Sequence, residues 1–172
     1  MNDYLIVDGY NIIYAWPVLQ KLKDTSLGHA RSRLVDILTN YAALSGERVI
    51  VVFDAHLVKN NQEHSETVDG VEIIYTQEGE TADAVIEKLV GTLPDRATVF
   101  VATSDWDEQR IVFGRGAYRL TPKELLARIK KLKKEGEQKY QATTPADSYL
   151  ENRLVDEIRK ALENWRRGKG YK

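Results

Sequence analysis

The sequence of 172 residues contains no cysteine, so disulfide bonds and thiolate metal ligands are excluded. No apolar run approaches the roughly 18 residues that a membrane-spanning helix needs, and residues 1–4 carry no basic segment of the kind that opens a signal peptide. We therefore expect no membrane partner. Since a chain without cysteine suits a reducing compartment, we expect a cytoplasmic protein.

Several catalytic signatures are also missing. The sequence has no P-loop, no G-x-G-x-x-G after a predicted strand, and no G-x-S-x-G elbow. The short segment Gly114-Arg115-Gly116 is too sparse to count as a phosphate-binding loop. His56 and His64 lie eight residues apart in a polar stretch, where we expect surface residues rather than metal ligands.

Charge is distributed unevenly along the chain, although the formal net charge is −1. Residues 123–172 hold 14 Lys and Arg against 8 Asp and Glu, whereas the other 122 residues hold 11 against 18. This asymmetry indicates an acidic pocket together with a basic region that attracts polyanions. The simpler alternative is a solvated helical surface crossed by salt bridges.

Apolar runs and helix caps alternate along the chain and predict an α/β fold. The expected architecture is a three-layer sandwich, with a mostly parallel central sheet of about five strands and helices on both faces. We expect a single domain over 1–172, in which 122–172 forms basic C-terminal helices. Strands are predicted near 4–7, 48–54, 71–76, 98–103 and 117–120, and helices near 27–44, 82–90, 104–113, 122–134 and 144–165. The segment 12–17 is predicted to be a loop or short turn, and the segment 55–70 is predicted to be a loop.

Three predicted strands end in a carboxylate, namely Asp8, Asp54 and Asp105. Open α/β sheets bind ligands beyond the carboxyl ends of their strands, so a central first strand would bring these side chains together. Asp83 would approach them from the start of the helix after the third strand. Structural roles remain open, because Asp8 can cap a turn and Asp83 can complement a helix dipole. Asp107 can complete a capping box in the same way.

Four carboxylates in one crevice repel one another unless their pKa values rise or a cation neutralises them. Oxygen ligands without cysteine favour Mg²⁺ or Mn²⁺ over zinc. Such ions activate water and stabilise the leaving oxygen of a phosphodiester, so no protein nucleophile is needed.

Four segments of the sequence, in this order and spacing, resemble the YacP-like branch of the NYN domain family, which is similar to PIN-domain nucleases. The resemblance covers about residues 3–165. The segments are Asp8-Gly9-Tyr10-Asn11, Val52-Phe53-Asp54-Ala55, Glu80-Thr81-Ala82-Asp83 and Thr103-Ser104-Asp105.

The resemblance implies a PIN-like fold and a metal-dependent endoribonuclease. It implies mRNA and the ribosome as partners, with cleavage in the A site and products carrying a 5′-phosphate and a 3′-hydroxyl. Asp8, Asp83 and Asp105 match the family's metal-binding acids, and Asn11 would orient a ligand carboxylate or the scissile phosphate. Asp54 matches a segment typical of this branch but not of all NYN proteins, so both a catalytic and a structural role stay open.

RNA contacts are expected from basic residues of the C-terminal half. Tyr10, Trp16 or Trp106 could stack an unpaired base, with core packing as the alternative for each. We expect Arg31 and Arg33 to be solvated. The predicted RNA-binding residues are Arg110, Arg115, Lys123, Lys130, Lys131, Lys134 and Trp106.

Two other functions are considered. A nuclease-like fold could act mainly as an RNA or ribosome adaptor with little catalysis of its own. A small-molecule phosphohydrolase is disfavoured, because Asp8-Gly9-Tyr10-Asn11 lacks the second aspartate that an aspartyl-phosphate mechanism would use.

Overall fold

A computed structural model of the chain describes residues 3–54, 64–105 and 116–143, together with Ile158. It contains two compact units, Met1–Lys133 and Lys134–Lys172. The expectation of one domain with basic C-terminal helices stays a prediction. The described strands are β1 (Asp3–Asp8), β2 (Arg48–Phe53), β3 (His64–Val68), β4 (Val71–Tyr75), β5 (Thr98–Ala102) and β6 (Tyr118–Leu120). The described helices are α1 (Gly9–Ala15), α2 (Pro17–Thr25), α3 (Leu27–Ser45), α4 (Ala82–Thr92) and α5 (Pro122–Thr143).

The described strands form one sheet in the order β3-β4-β2-β1-β5-β6. β1 pairs in parallel with β2 on one side and with β5 on the other, and the β3–β4 pair is antiparallel. Leu5, Ile6 and Val7 are fully buried, as expected for a central parallel strand covered on both faces. The structure confirms the α/β class and the central position of the first strand.

Helices cover both faces of the sheet and create two hydrophobic cores. Side chains alternate along β1, so that Leu5 and Val7 belong to one core and Tyr4 and Ile6 to the other. The first core lies beneath α1, α2, α3 and the start of α5, and the second lies beneath α4. This is the predicted three-layer arrangement.

The prediction of a loop or short turn over residues 12–17 is wrong, because the chain forms α1 and α2 there. Asp8 caps α1, and Pro17 occupies the first turn of α2, where its fixed φ favours a helix start. The residue before the proline, Trp16, is extended as expected. Its ring is buried and its Nε1 donates to the carbonyl of Pro122 at 2.8 Å, which confirms core packing.

The prediction of a loop over residues 55–70 is wrong in its last part, since His64–Val68 forms the edge strand β3. All five residues of β3 are exposed, so the segment carries no buried side chain that a hydrophobic pattern could detect. Backbone pairing with β4 defines the strand instead. The described sheet consequently has six strands rather than about five.

Helix ends follow the predicted caps. Ser26 accepts a hydrogen bond from the backbone of His29 at the start of α3, and Gly46 ends that helix with φ of 73°. Thr121 and Glu124 form the predicted capping box of α5. α5 extends to Thr143, beyond the predicted end near residue 134.

The predicted helices over 104–113 and 144–165 fall largely outside the described residues. No helix in the described part of the chain is both long enough and apolar enough to cross a bilayer.

Candidate active site

Strand order places the predicted acidic residues at one edge of the sheet. Asp8 ends β1, Asp54 follows β2, and Asp105 comes shortly after β5, and these are three neighbouring strands. Asp83 lies in the first turn of α4, a helix that is capped by the side chain of Thr81. The edge that carries the carboxyl ends of the parallel strands is the one where open α/β sheets bind ligands.

A cavity of about 330 Å³ opens at this edge. Asp8, Asp54 and Asp83 line it together with Asn11, so three of the predicted acids share one space. Its remaining walls are formed by Tyr10, Tyr14, Thr81 and Ala82. Asp105 is half-buried, and its charge acts on Asp8.

Asp8 is the most deeply buried of these acids, with 5% of its surface exposed. Burial raises its pKa from 3.8 to about 6, while hydrogen bonds from Asn11 oppose this shift. The negative charges of Asp83 and Asp105 raise the pKa further. A bound cation would relieve the repulsion of Asp8 by Asp83 and Asp105.

Asn11 connects the ends of β1 and β5. Its Nδ2 donates to Oδ2 of Asp8 at 2.9 Å, and its backbone N donates to Oδ1 at 3.4 Å. Its Oδ1 accepts from the backbone N of Ser104 at 3.2 Å and also from the Ser104 hydroxyl. Both ends of the amide are therefore engaged, and Asn11 fixes the orientation of the Asp8 carboxylate.

Gly9 is required at the start of α1 for a steric reason. A Cβ at this position would collide with the ring of Phe53, which packs edge-on against Tyr10 with ring centroids 5.2 Å apart. Tyr10 in turn stacks on Tyr14 at 6.3 Å. The glycine lets α1 begin close to β2, and this places both tyrosines in the cavity wall.

Among the described residues, no group of three or more His, Asp or Glu side chains is gathered closely enough to hold a metal ion. Mg²⁺ commonly takes only one or two carboxylates and completes its shell with water and substrate phosphates. The all-oxygen donor set of Asp8, Asp54 and Asp83, with a buried carboxylate of raised pKa among them, fits such an ion.

Only some of the predicted RNA-binding residues lie in the part of the chain that the structure describes. Lys123, Lys130, Lys131 and Lys134 are exposed on α5. Arg110, Arg115, Trp106 and Asp107 lie outside the described residues.

Sequence reasoning missed three contributors to this region. Ser104 follows β5, and the strand-end rule that found Asp105 could have found it. Tyr14 lines the cavity although its position was assigned to a loop. Arg31 was expected to be solvated, but it is half-buried and its Nη1 donates to the hydroxyl of Tyr10 at 3.0 Å. No sequence signal marks that contact, because it joins two helices.

Comparison with known proteins gives concordant results. Residues 5–167 match the family model described as the YacP-like NYN domain. The chain is 45% identical over 167 residues to the uncharacterized protein YacP of Bacillus subtilis strain 168, covering 96% of this chain and 98% of the relative. Its fold is similar to the crystal structure of Rae1 (YacP) from Bacillus subtilis, with a TM-score of 0.71, 42% identity and coverage of 96% and 95%. The crystal structure of a tryptophan-to-leucine mutant of that protein matches with the same TM-score and identity over 83% of this chain and 84% of its own.

Proposed function

This chain belongs to the YacP-like NYN domain family, and from that membership and the acidic cavity we propose that it is a metal-dependent endoribonuclease that cleaves mRNA on the translating ribosome. NYN and PIN-like domains are generally nucleases, and PIN-like nuclease domains generally use divalent metals. The observation that carries the proposal is the single cavity lined by Asp8, Asp54 and Asp83 at the carboxyl edge of the sheet.

Asp8 and Asp83, with Asp105 nearby, would hold Mg²⁺ or Mn²⁺ directly or through water, and Asp54 would add a fourth carboxylate. The ion supplies positive charge for the phosphate oxygens and a water of lowered pKa at neutral pH. Asn11 is a positioning residue, since its Nδ2 donates to Asp8 and its Oδ1 accepts from Ser104. Asp83 lies in the first turn of α4, where the helix dipole favours negative charge.

RNA would be held by the exposed lysines of α5, which offer phosphate contacts without base preference. The half-exposed ring of Tyr14 is available in the cavity wall for an unpaired base. Accordingly, we propose an unpaired stretch of mRNA presented in the ribosomal A site as the substrate, with the ribosome as partner.

The test is cleavage of an mRNA on translating ribosomes, with the parent compared with Asp83→Asn. Asp95→Asn is the matched control, because Asp95 is exposed in the loop before β5, at the opposite edge of the sheet. We expect the parent and the control to cut, Asp83→Asn not to cut, and EDTA to stop all cutting. Equal cleavage by Asp83→Asn would remove the metal-site assignment.

A second function, an RNA or ribosome adaptor, is favoured by one observation: the described residues contain no cluster of three metal-ligating side chains. An adaptor would co-sediment with ribosomes after Asp8→Asn as well as before it, and Mn²⁺ would produce no cutting. Cleavage that depends on Asp83 and on a divalent ion rules out an exclusive adaptor role.

A further inference from the structure

A second cavity of about 440 Å³ lies between the first turns of α3 and the β3–β4 hairpin. Its volume is within the range of roughly 300–1,000 Å³ that is usual for small-molecule sites. Its polar groups come from Arg31, Ser32, Asp36, Glu66 and Tyr75. None of these residues was predicted from the sequence to belong to a site.

Arg31 connects this second cavity to the acidic one. Arg31 lines the second cavity, and its guanidinium donates to the hydroxyl of Tyr10, which lines the acidic cavity. The positive charge of Arg31 also acts on Tyr75, which lines the second cavity, and opposes the rise in the pKa of its hydroxyl that burial causes. The two cavities are thus linked through the hydrogen bond between Arg31, which lines one, and Tyr10, which lines the other.

The guanidinium of Arg31 retains donors beyond the one used by the Tyr10 hydroxyl. Arginine has five N–H donors in a fork that suits phosphate oxygens. Within the part of the chain that the structure describes, Arg31 forms no ion pair with a carboxylate. A cation held at the boundary between the two cavities is therefore placed to meet a phosphate that passes from one to the other.

The carboxylates of Asp36 and Glu66 give the second cavity a different chemistry. They repel a phosphate inside it, but they accept hydrogen bonds from neutral hydroxyl and amino groups. A nucleoside offers such donors in its ribose hydroxyls and in the exocyclic amines of some bases. The ring of Tyr75 is fixed between Phe53 and His64, at centroid distances of 5.6 and 4.5 Å, and supplies a rigid wall.

We propose that the second cavity binds the ribonucleoside next to the scissile phosphate of the substrate strand. Arg31 contacts the phosphate that links this nucleoside to the acidic cavity, and Asp36 and Glu66 accept hydrogen bonds from its ribose. The proposal rests on the proposed nuclease function. The second cavity then distinguishes RNA from DNA, because the 2′-hydroxyl is the donor that DNA lacks.

The experiment measures binding in EDTA, so that metal-dependent cutting does not interfere. The probes are two fluorescein-labelled single-stranded oligonucleotides of one sequence, one all-ribo and one all-deoxy, titrated by fluorescence anisotropy. We expect the parent to bind RNA roughly tenfold more tightly than DNA, as the loss of a hydrogen bond to a charged acceptor implies. In the double variant Asp36→Asn/Glu66→Gln, this preference should fall to about threefold, because a neutral amide oxygen accepts a hydrogen bond roughly half as strong as that of a carboxylate.

The matched control is Glu72→Gln. Glu72 lies on the same hairpin, but it pairs with Thr67 on the opposite face of the sheet from Glu66 and Ile73, so its change should leave the preference intact. If the acids act by repulsion alone, the double variant would bind both probes more tightly with an unchanged ratio, and that result overturns the proposal. A parent that shows no preference for RNA also overturns it.

Arg31→Met tests the phosphate contact and should weaken binding of both probes by a similar factor. Because Arg31 also donates to the Tyr10 hydroxyl, Arg31→Lys is measured beside it, and the melting temperature of each variant shows whether the fold survives. We expect Arg31→Lys to regain part of the affinity lost in Arg31→Met, and equal affinity of parent and both folded variants contradicts the contact.

The nuclease function and the nucleoside site can fail independently, and the two failures give different results. Cleavage on ribosomes without any RNA preference in the binding assay removes the nucleoside site and leaves the nuclease. An RNA preference that depends on Asp36 and Glu66, without any cleavage, supports the nucleoside site and removes the catalytic role.

Discussion

Burial and neighbouring charge act on Asp8 in the same direction, and both make its ionised form costly in the folded protein. Its pKa of about 6 lies above the ordinary value of 3.8, chiefly because the side chain is buried and secondarily because Asp83 and Asp105 are near. The folded state therefore keeps a proton on Asp8 between about pH 4 and pH 6, where the unfolded chain has lost it. Stability consequently falls as pH rises through this window.

We predict that Asp8→Asn gains stability relative to the parent as pH increases from about 4 to about 8 in metal-free buffer. Asparagine carries no charge to bury, so the parent alone loses up to about 3 kcal/mol of unfolding free energy over this range. Urea unfolding in EDTA at both pH values measures the difference. If the difference in unfolding free energy between the parent and Asp8→Asn is the same at both pH values, Asp8 titrates with its ordinary pKa.

Gly9 and Gly28 provide a matched pair of helical glycines. A Cβ at Gly9 meets the Phe53 ring, whereas a Cβ at Gly28 comes no nearer than 3.6 Å to any atom outside its own helix backbone, the nearest being the flexible end of Arg31. We predict that Gly9→Ala lowers the unfolding free energy by about 1–3 kcal/mol through overpacking. Gly28→Ala should be neutral or stabilising by about 0.5–1 kcal/mol. Thermal unfolding of both variants checks the pair, and equal effects would contradict the steric reason.

At the scale of elements, the first half of α5 contacts the sheet and α3 through a polar cluster as well as through apolar side chains. Arg128 forms an ion pair with Glu47 and lies over the ring of Phe100, with its guanidinium carbon 4.3 Å from the centroid. Glu47 also accepts from the hydroxyl of Tyr41 at 2.7 Å, and its side chain is 8% exposed. Burial of the Tyr41 ring, together with this acceptor, raises the pKa of its hydroxyl.

We predict that Arg128→Met destabilises the protein by about 2 kcal/mol, because it leaves the buried carboxylate of Glu47 without its cation. The value is reduced from that of a fully buried pair, since 29% of the Arg128 side chain is exposed. The double variant Glu47→Gln/Arg128→Met should lose less unfolding free energy than the sum of the losses in the two single variants. Additive losses would indicate that the pair is screened by solvent.

At the scale of the whole molecule, the candidate site exists because parallel strands from distant parts of the chain share one edge. Asp8 and Asp54 come from neighbouring strands and Asp83 from a helix start, yet they line one cavity. Their mutual repulsion favours any divalent cation that binds the folded protein and not the unfolded chain.

We predict that Mn²⁺ raises the melting temperature of the parent and of Asp95→Asn, but much less that of Asp83→Asn. A ligand present at about 100 times its dissociation constant stabilises the folded state by about 2.7 kcal/mol. Differential scanning fluorimetry over a Mn²⁺ titration measures the shift, with Ca²⁺ and Mg²⁺ as comparison ions. Equal rises in the melting temperatures of the parent, Asp95→Asn and Asp83→Asn would show that the ion binds at a different site.

Strongly periodic elements and caps were predictable from the sequence. The helix over α3, its Ser26 and Gly46 ends, the capping box at Thr121 and the apolar strands β1 and β2 all depend on local patterns. The failures also have local reasons. Exposed β3 lacks a buried face, and the proline after Trp16 marks a helix start as readily as a loop.

The sequence by itself determined which donor atoms the candidate site offers, because the residues that end the strands are acids and the chain contains no cysteine. It also determined which strands are buried, through unbroken apolar runs such as that of β1. Only the tertiary structure decided that Asn11 binds Asp8 and Ser104 together, and that Arg31 joins two cavities. Apolar periodicity records burial on one element, whereas these contacts depend on distances between elements that local pattern does not encode.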